Sequence, residues 1–184
     1  MMMKQRVLLV LGLFLTVLTA VAGGRIKVAC VGNSVTWGLT ITDREKNCYP
    51  SQLQQMLGNQ YEVKNFGHSG ATLLSHGHRP YIDQKEYQEA LDFKADLVVI
   101  HLGLNGTEPR NWPEYSEEFN ADYIRLIDSF RQANPKAKIW LCQMTPIFDR
   151  HPRFESSTRD WYDQIQRHIR QVAKATGLPL IDLN

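Results

Sequence analysis

The stretch Asp96-Leu97-Val98-Val99-Ile100-His101-Leu102 decides the fold. Its apolar centre, Leu97 to Ile100, is too short for a free-standing helix and has no polar alternation, which predicts a strand buried on both faces, as in a parallel sheet. Four further runs flank it: Ile26 to Val31, Tyr61 to Phe66, Lys138 to Gln143 and Leu178 to Leu183. Between the runs, Phe119, Tyr123, Ile127 and Phe130 recur at helical spacing, as do Trp161, Ile165, Ile169 and Val172. Each set is expected to lay one apolar stripe on the sheet. Tyr49 to Leu57 and Lys85 to Leu91 are shorter helix candidates, while Pro135 and the pair Gly177 and Pro179 stand where helices should stop. Strands alternating with helices define an α/β domain with a five-stranded parallel sheet, the 97–100 run at its centre. The last run reaches the end of the sequence, so the face it exposes calls for a further helix, and a C-terminal piece is expected to be missing.

A chain of 184 residues is one domain's worth, and no repeat or linker divides it. Its opening segment reads as an export signal. Lys4 and Arg6 precede an uncharged run of 16 residues, Val7 to Ala22, that ends in Ala20-Val21-Ala22. A membrane anchor would need about 18 to 20 apolar residues. Residues 1–22 are therefore expected to be a signal peptide, residues 23–184 the functional domain, and the protein periplasmic or secreted without a stable anchor. Lys4 and Arg6 also account for the whole excess of 21 Lys and Arg over 19 Asp and Glu, so residues 23–184 are formally neutral. That balance gives no electrostatic case for nucleic acid as a partner, which would want a basic stripe. Small molecules or neutral polymers fit better. Cys30, Cys48 and Cys142 cannot all pair and lack zinc-site spacing; Cys30 and Cys142 lie in strand-like runs as small apolar fillers.

In an open parallel sheet, reactive groups gather in the loops after the strands. Three such loops are unusual: Gly32-Asn33-Ser34-Val35-Thr36-Trp37-Gly38, Asn65-Phe66-Gly67-His68-Ser69-Gly70-Ala71-Thr72 and Gly103-Leu104-Asn105-Gly106. Taken alone, Ser34 reads as a turn or capping residue and Asn105 as a turn former. Gly32 and Gly38 do not make a nucleotide loop, since neither G-x-G-x-x-G nor a Gly-Lys-Ser/Thr ending is present.

Together and in order, the three loops resemble the first three blocks of the SGNH hydrolases, the GDSL esterase and lipase family, with Gly32-Asn33-Ser34 standing for that family's G-D-S. The resemblance is nearest to bacterial carbohydrate esterases of the sialate O-acetylesterase type, and Asn111-Trp112 adds to it. It implies a flavodoxin-like, three-layer α/β/α fold and hydrolysis of an O-acetyl ester on a sugar such as sialic acid, with water as second substrate. It further implies Ser34 as nucleophile and the backbone N–H groups of Ser34 and Gly70 with the Asn105 side-chain amide as oxyanion donors. No metal or organic cofactor is called for, because a serine, a base and such donors perform acyl transfer unaided. His68 is expected to touch substrate; Trp37 and Trp112 could stack on sugar rings, Trp112 equally being a packing residue.

Two departures from the family pattern matter. Gly106 stands where the third block usually has aspartate, removing a polar group that could order the loop. More seriously, the D-x-x-H block that supplies the family's general base is absent from the sequence. None of the six histidines replaces it: His101 belongs to a strand, His168 to the border of a helix stripe, and Asp149-Arg150-His151 comes one strand too early. His76 and His78 lack a third metal ligand at useful spacing. As given, the chain is expected to be a poor enzyme. The alternative is a non-catalytic sugar-binding remnant or fragment; a lipase or thioesterase would want longer apolar substrate-facing segments than these polar loops provide.

Overall fold

The computed structural model describes residues 24–147 and 158–183. The expected signal peptide and His151 lie outside these residues. Among the described residues, no helix is long and apolar enough to cross a membrane.

Five parallel strands form one sheet in the order β2-β1-β3-β4-β5. They are β1 (Ile26–Gly32), β2 (Tyr61–Gly67), β3 (Leu97–His101), β4 (Lys138–Cys142) and β5 (Leu180–Ile181). The helices are α1 (Ser34–Trp37), α2 (Arg44–Asn47), α3 (Tyr49–Leu57), α4 (Lys85–Phe93), α5 (Trp112–Tyr115), α6 (Phe119–Ala133) and α7 (Thr158–Thr176). β3 is the central strand, as its sequence predicts.

Strand geometry sends alternate side chains to opposite faces. One face carries Ala29, Val31, Phe66, Val98, Ile100, Ile139 and Leu141 into a core completed by α4, α6 and α7 through Phe93, Tyr123, Ile127, Phe130, Ile165 and Ile169. Both expected helical stripes are therefore present. The opposite face is covered by α1 and α3 only beside β1 and β2, where the Asn65 amide donates to the Thr36 carbonyl at 2.8 Å. Over β3 to β5 the described residues cover it only in part. Leu97, Val99 and Trp140 are half-buried there, and Ile181 is 37% exposed. This corrects the reading of Leu97 to Ile100 as buried on both faces: only Val98 and Ile100 of the four are fully enclosed.

The fifth strand is also shorter than the run Leu178 to Leu183. Gly177 takes a left-handed φ of 66°, and the Leu178 N–H is spent on the Ala173 carbonyl at the end of α7. Pro179 has no N–H to donate, so regular pairing is confined to Leu180 and Ile181. Cys30, Cys48 and Cys142 are all free and buried, and burial pushes the Cys30 thiol up to about 12.

A close approach fixes α1 on the sheet. A Cβ at Gly67 would lie 2.3 Å from the Trp37 backbone nitrogen and 2.8 Å from the Thr36 carbonyl carbon. Neither atom can rotate away. Gly67→Ala is expected to cost about 3 kcal/mol, the upper range for overpacking, and to displace α1; thermal unfolding and ester turnover should fall together.

Candidate active site

The register sets the three unusual loops side by side. Gly32, the last residue of β1, pairs with Gly67 on β2 and with His101 on β3, so Ser34, Gly70 and Asn105 follow adjacent strand ends that lie level with one another. β1 stands between the other two, and the serine loop lies in the middle. The His68 N–H reaches the Gly32 carbonyl at 2.9 Å and ties the first loop to the second.

Ser34 is half-buried and opens α1. At this position the backbone N–H has no acceptor within the helix. The Asn33 side-chain oxygen caps α1 by accepting from the Val35 N–H at 3.0 Å, a task that aspartate performs equally well. Asn33 therefore serves the turn. Its own amide nitrogen is buried without a partner among the described residues.

Gly70 has a φ of 84°, a left-handed conformation open to glycine at little cost. Asn105 is 8% exposed, and its side-chain nitrogen donates to the Ala71 carbonyl at 2.9 Å. This bond orients the side-chain amide. The Asn105 amide is thereby held against the residue next to Gly70. Gly70 and Asn105, with Asn111, His78 and Arg79, line a cleft of about 280 Å³.

Sequence reasoning missed the role of Asn111. This residue is 1% exposed; its amide nitrogen donates to the Asn105 carbonyl at 2.7 Å and its oxygen accepts from the His78 N–H at 2.6 Å. It clamps the second and third loops together. Asn111→Ala removes the acceptor of the His78 N–H and one of the donors to the Asn105 carbonyl, which keeps the Glu108 N–H at 3.3 Å, and is expected to lower stability by about 1 to 3 kcal/mol. Turnover should drop as Asn105 loosens; a calorimetric scan beside kcat measurement checks both.

The loop that lacks aspartate at Gly106 is ordered by other means. The Thr107 hydroxyl donates to the Leu104 carbonyl at 2.7 Å, and a Cβ at Gly106 would meet the Ile165 Cδ1 at 2.8 Å. Packing against α7 fills the space that a longer side chain would need.

The remaining candidates have defined places. His68 Nδ1 lies 2.9 Å from a Glu86 carboxylate oxygen on α4, which holds the ring by one nitrogen. Trp37 is half-buried, with the Arg44 guanidinium 4.3 Å from its ring centre. Trp112 is 2% exposed and donates its indole N–H to Gln164 on α7 at 2.8 Å, so it packs rather than facing a sugar. His168 sits edge-on to Trp112 and Phe119 and bonds Asn120 at 2.9 Å, the border position expected of it. His101 is buried with its Nε2 unpartnered among the described residues, and burial lowers it to about 4, so it is neutral near pH 7. His76 bonds Glu118 at 2.7 Å.

A serine at a helix start, a glycine backbone and a fixed amide, each following one of three adjacent strand ends, are groups suited to acyl-transfer chemistry. The chain belongs to the GDSL-like lipase/acylhydrolase family, whose model matches residues 30–184. It is 39% identical, over 191 aligned positions, to an acetylxylan esterase of Xylanibacter ruminicola. That alignment takes in 95% of this chain but 39% of the relative, so the chain spans about two fifths of the curated relative's length. Among solved structures, the acetyl xylan esterase AlAXEase is 23% identical with a TM-score of 0.64, covering 86% of this chain and 77% of that one. The carbohydrate acetylesterase Est24 of Sinorhizobium meliloti is 17% identical with a TM-score of 0.65, covering 86% and 84%. These likenesses establish the α/β fold.

Proposed function

We propose that this chain is a serine esterase that removes acetyl groups from carbohydrate. Ser34 Oγ attacks the acetyl carbonyl and gives its proton to a base; the carbonyl oxygen takes the negative charge against the Ser34 and Gly70 N–H groups and the Asn105 amide. The sugar oxygen leaves with a proton, and water then releases acetate from Ser34. The observation that carries this reading is the level register of Gly32, Gly67 and His101, joined to the Asn105 bond onto Ala71 beside Gly70. The 39% identity to an acetylxylan esterase supports the substrate class; sialic acid is the more specific substrate proposed from the sequence resemblance.

His68, braced by Glu86, and Trp37, backed by Arg44, are proposed to contact the sugar. The base is proposed to come from an Asp-x-x-His segment following β5, so residues 1–184 alone should work slowly. Loss of one triad member leaves only about 1000- to 10,000-fold catalysis over water. Residues 1–22 are proposed to direct export.

Acetate release from acetylated xylo-oligosaccharides and from O-acetyl sialosides tests the reading, using residues 1–184 and a longer polypeptide that includes such a segment. Release that rises by 100-fold or more with the longer chain is expected. Saccharide binding without acetate release from either would instead mark a binding remnant.

A further inference from the structure

We infer that Arg79 selects substrates carrying a carboxylate on the acetylated sugar. This rests on the reading that the Gly70 and Asn105 cleft takes an acetyl ester. Arg79 holds a left-handed φ of 62°, an unusual and costly conformation for a residue with a Cβ. Backbone bonds on both sides fix it there: the Thr72 N–H donates to the Arg79 carbonyl at 3.0 Å, and the Tyr81 N–H to the Thr72 carbonyl at 2.8 Å. The strained backbone sends the side chain back over the second loop. One guanidinium nitrogen, Nη1, donates to the Ser69 carbonyl at 3.1 Å, and that atom would stand 2.7 Å from a Cβ placed on Gly70. The guanidinium thus lies directly against Gly70, and glycine there makes room for it.

Charge bookkeeping in the cleft points to the ligand. Glu108 is ion-paired with Arg110, and both line the cleft with Arg79. No carboxylate of the described residues lies within ion-pair distance of Arg79. Among the described residues, the cleft therefore holds one positive charge with no paired carboxylate. A guanidinium anchored by one N–H presents its remaining donors in a fixed plane, a geometry suited to two carboxylate oxygens and poorly served by a hydroxyl. Uronic acids and sialic acids share that carboxylate.

Matched esters test the inference: an acetylated methyl glucuronoside against the equally acetylated methyl glucoside, and an O-acetyl methyl sialoside against its carboxamide. They are assayed with the longer polypeptide described above. The acidic member is expected to show a kcat/KM at least 10-fold higher, chiefly through KM. In Arg79→Gln that ratio should fall towards 1, and Arg79→Lys should restore only part of it. A wild-type ratio near 1 in both pairs, or one unaltered in Arg79→Gln, overturns the inference. Preference within only one pair names the source of the carboxylate. Should no ester be cleaved at all, the proposed activity fails separately. Titration of deacetylated methyl glucuronoside and methyl sialoside, followed at the Arg79 Nε–Hε NMR signal, then decides: a shift with either acid but not with methyl glucoside upholds the inference, and no shift with either acid overturns it.

Discussion

Ser34→Ala, in a polypeptide that carries the base, is expected to reduce acetate release by about 1000-fold or more. The substitution is a clean one. Ser34 is the first residue of α1, its cap is provided by Asn33 rather than by its own hydroxyl, and no side-chain bond among the described residues ties Ser34 into the core. Alanine is well tolerated in a helix, so stability should stay within about 0.5 kcal/mol. A collapse of turnover at an unchanged melting temperature would then report on chemistry alone. Retention of a tenth or more of the activity would remove Ser34 from the nucleophile's role.

Asn105→Ala is expected to lower kcat by about 100- to 1000-fold with a far smaller change in KM, because a donor that meets developing charge acts mainly in the transition state. The same amide supports the Ala71 carbonyl at 2.9 Å. Its removal should therefore also cost about 1 to 3 kcal/mol of stability, and kinetics must be read well below the variant's melting temperature. An effect confined to KM would identify Asn105 as a binding residue only.

Periodicity carried most of the fold. The core stripe of α6 follows from residues three or four apart, and the central place of β3 follows from its uninterrupted apolar run. What the sequence hid depends on partners far along the chain. Strand β5 was overread because its first residues close α7, a competition between two backbone uses of Leu178. The burial of β3 was overread because apolar character says nothing about whether a helix covers that half of the sheet.

The candidate site divides along the same line. Ser34, Gly70 and Asn105 were singled out because their three loops, taken in order, resemble the first three blocks of the family. Asn111 and Arg79 were not assigned roles, since Asn111 grips the His78 backbone 33 residues away and Arg79 reaches back 10 residues onto Ser69. The positive φ of Arg79 has no compositional signature, unlike that of Gly70. Trp112 illustrates the converse: an aromatic beside a reactive loop suited a sugar platform and a packing role equally, and Gln164 on α7, 52 residues on, holds its indole inside.

The most direct test of the central claim is a crystal structure of the protein after reaction with a small phosphonylating ester analogue. The account predicts phosphorus bonded to Ser34 Oγ and the phosphoryl oxygen about 3 Å from both the Gly70 nitrogen and the Asn105 side-chain nitrogen. Phosphorus on another residue, or a phosphoryl oxygen turned away from those two donors, would contradict it.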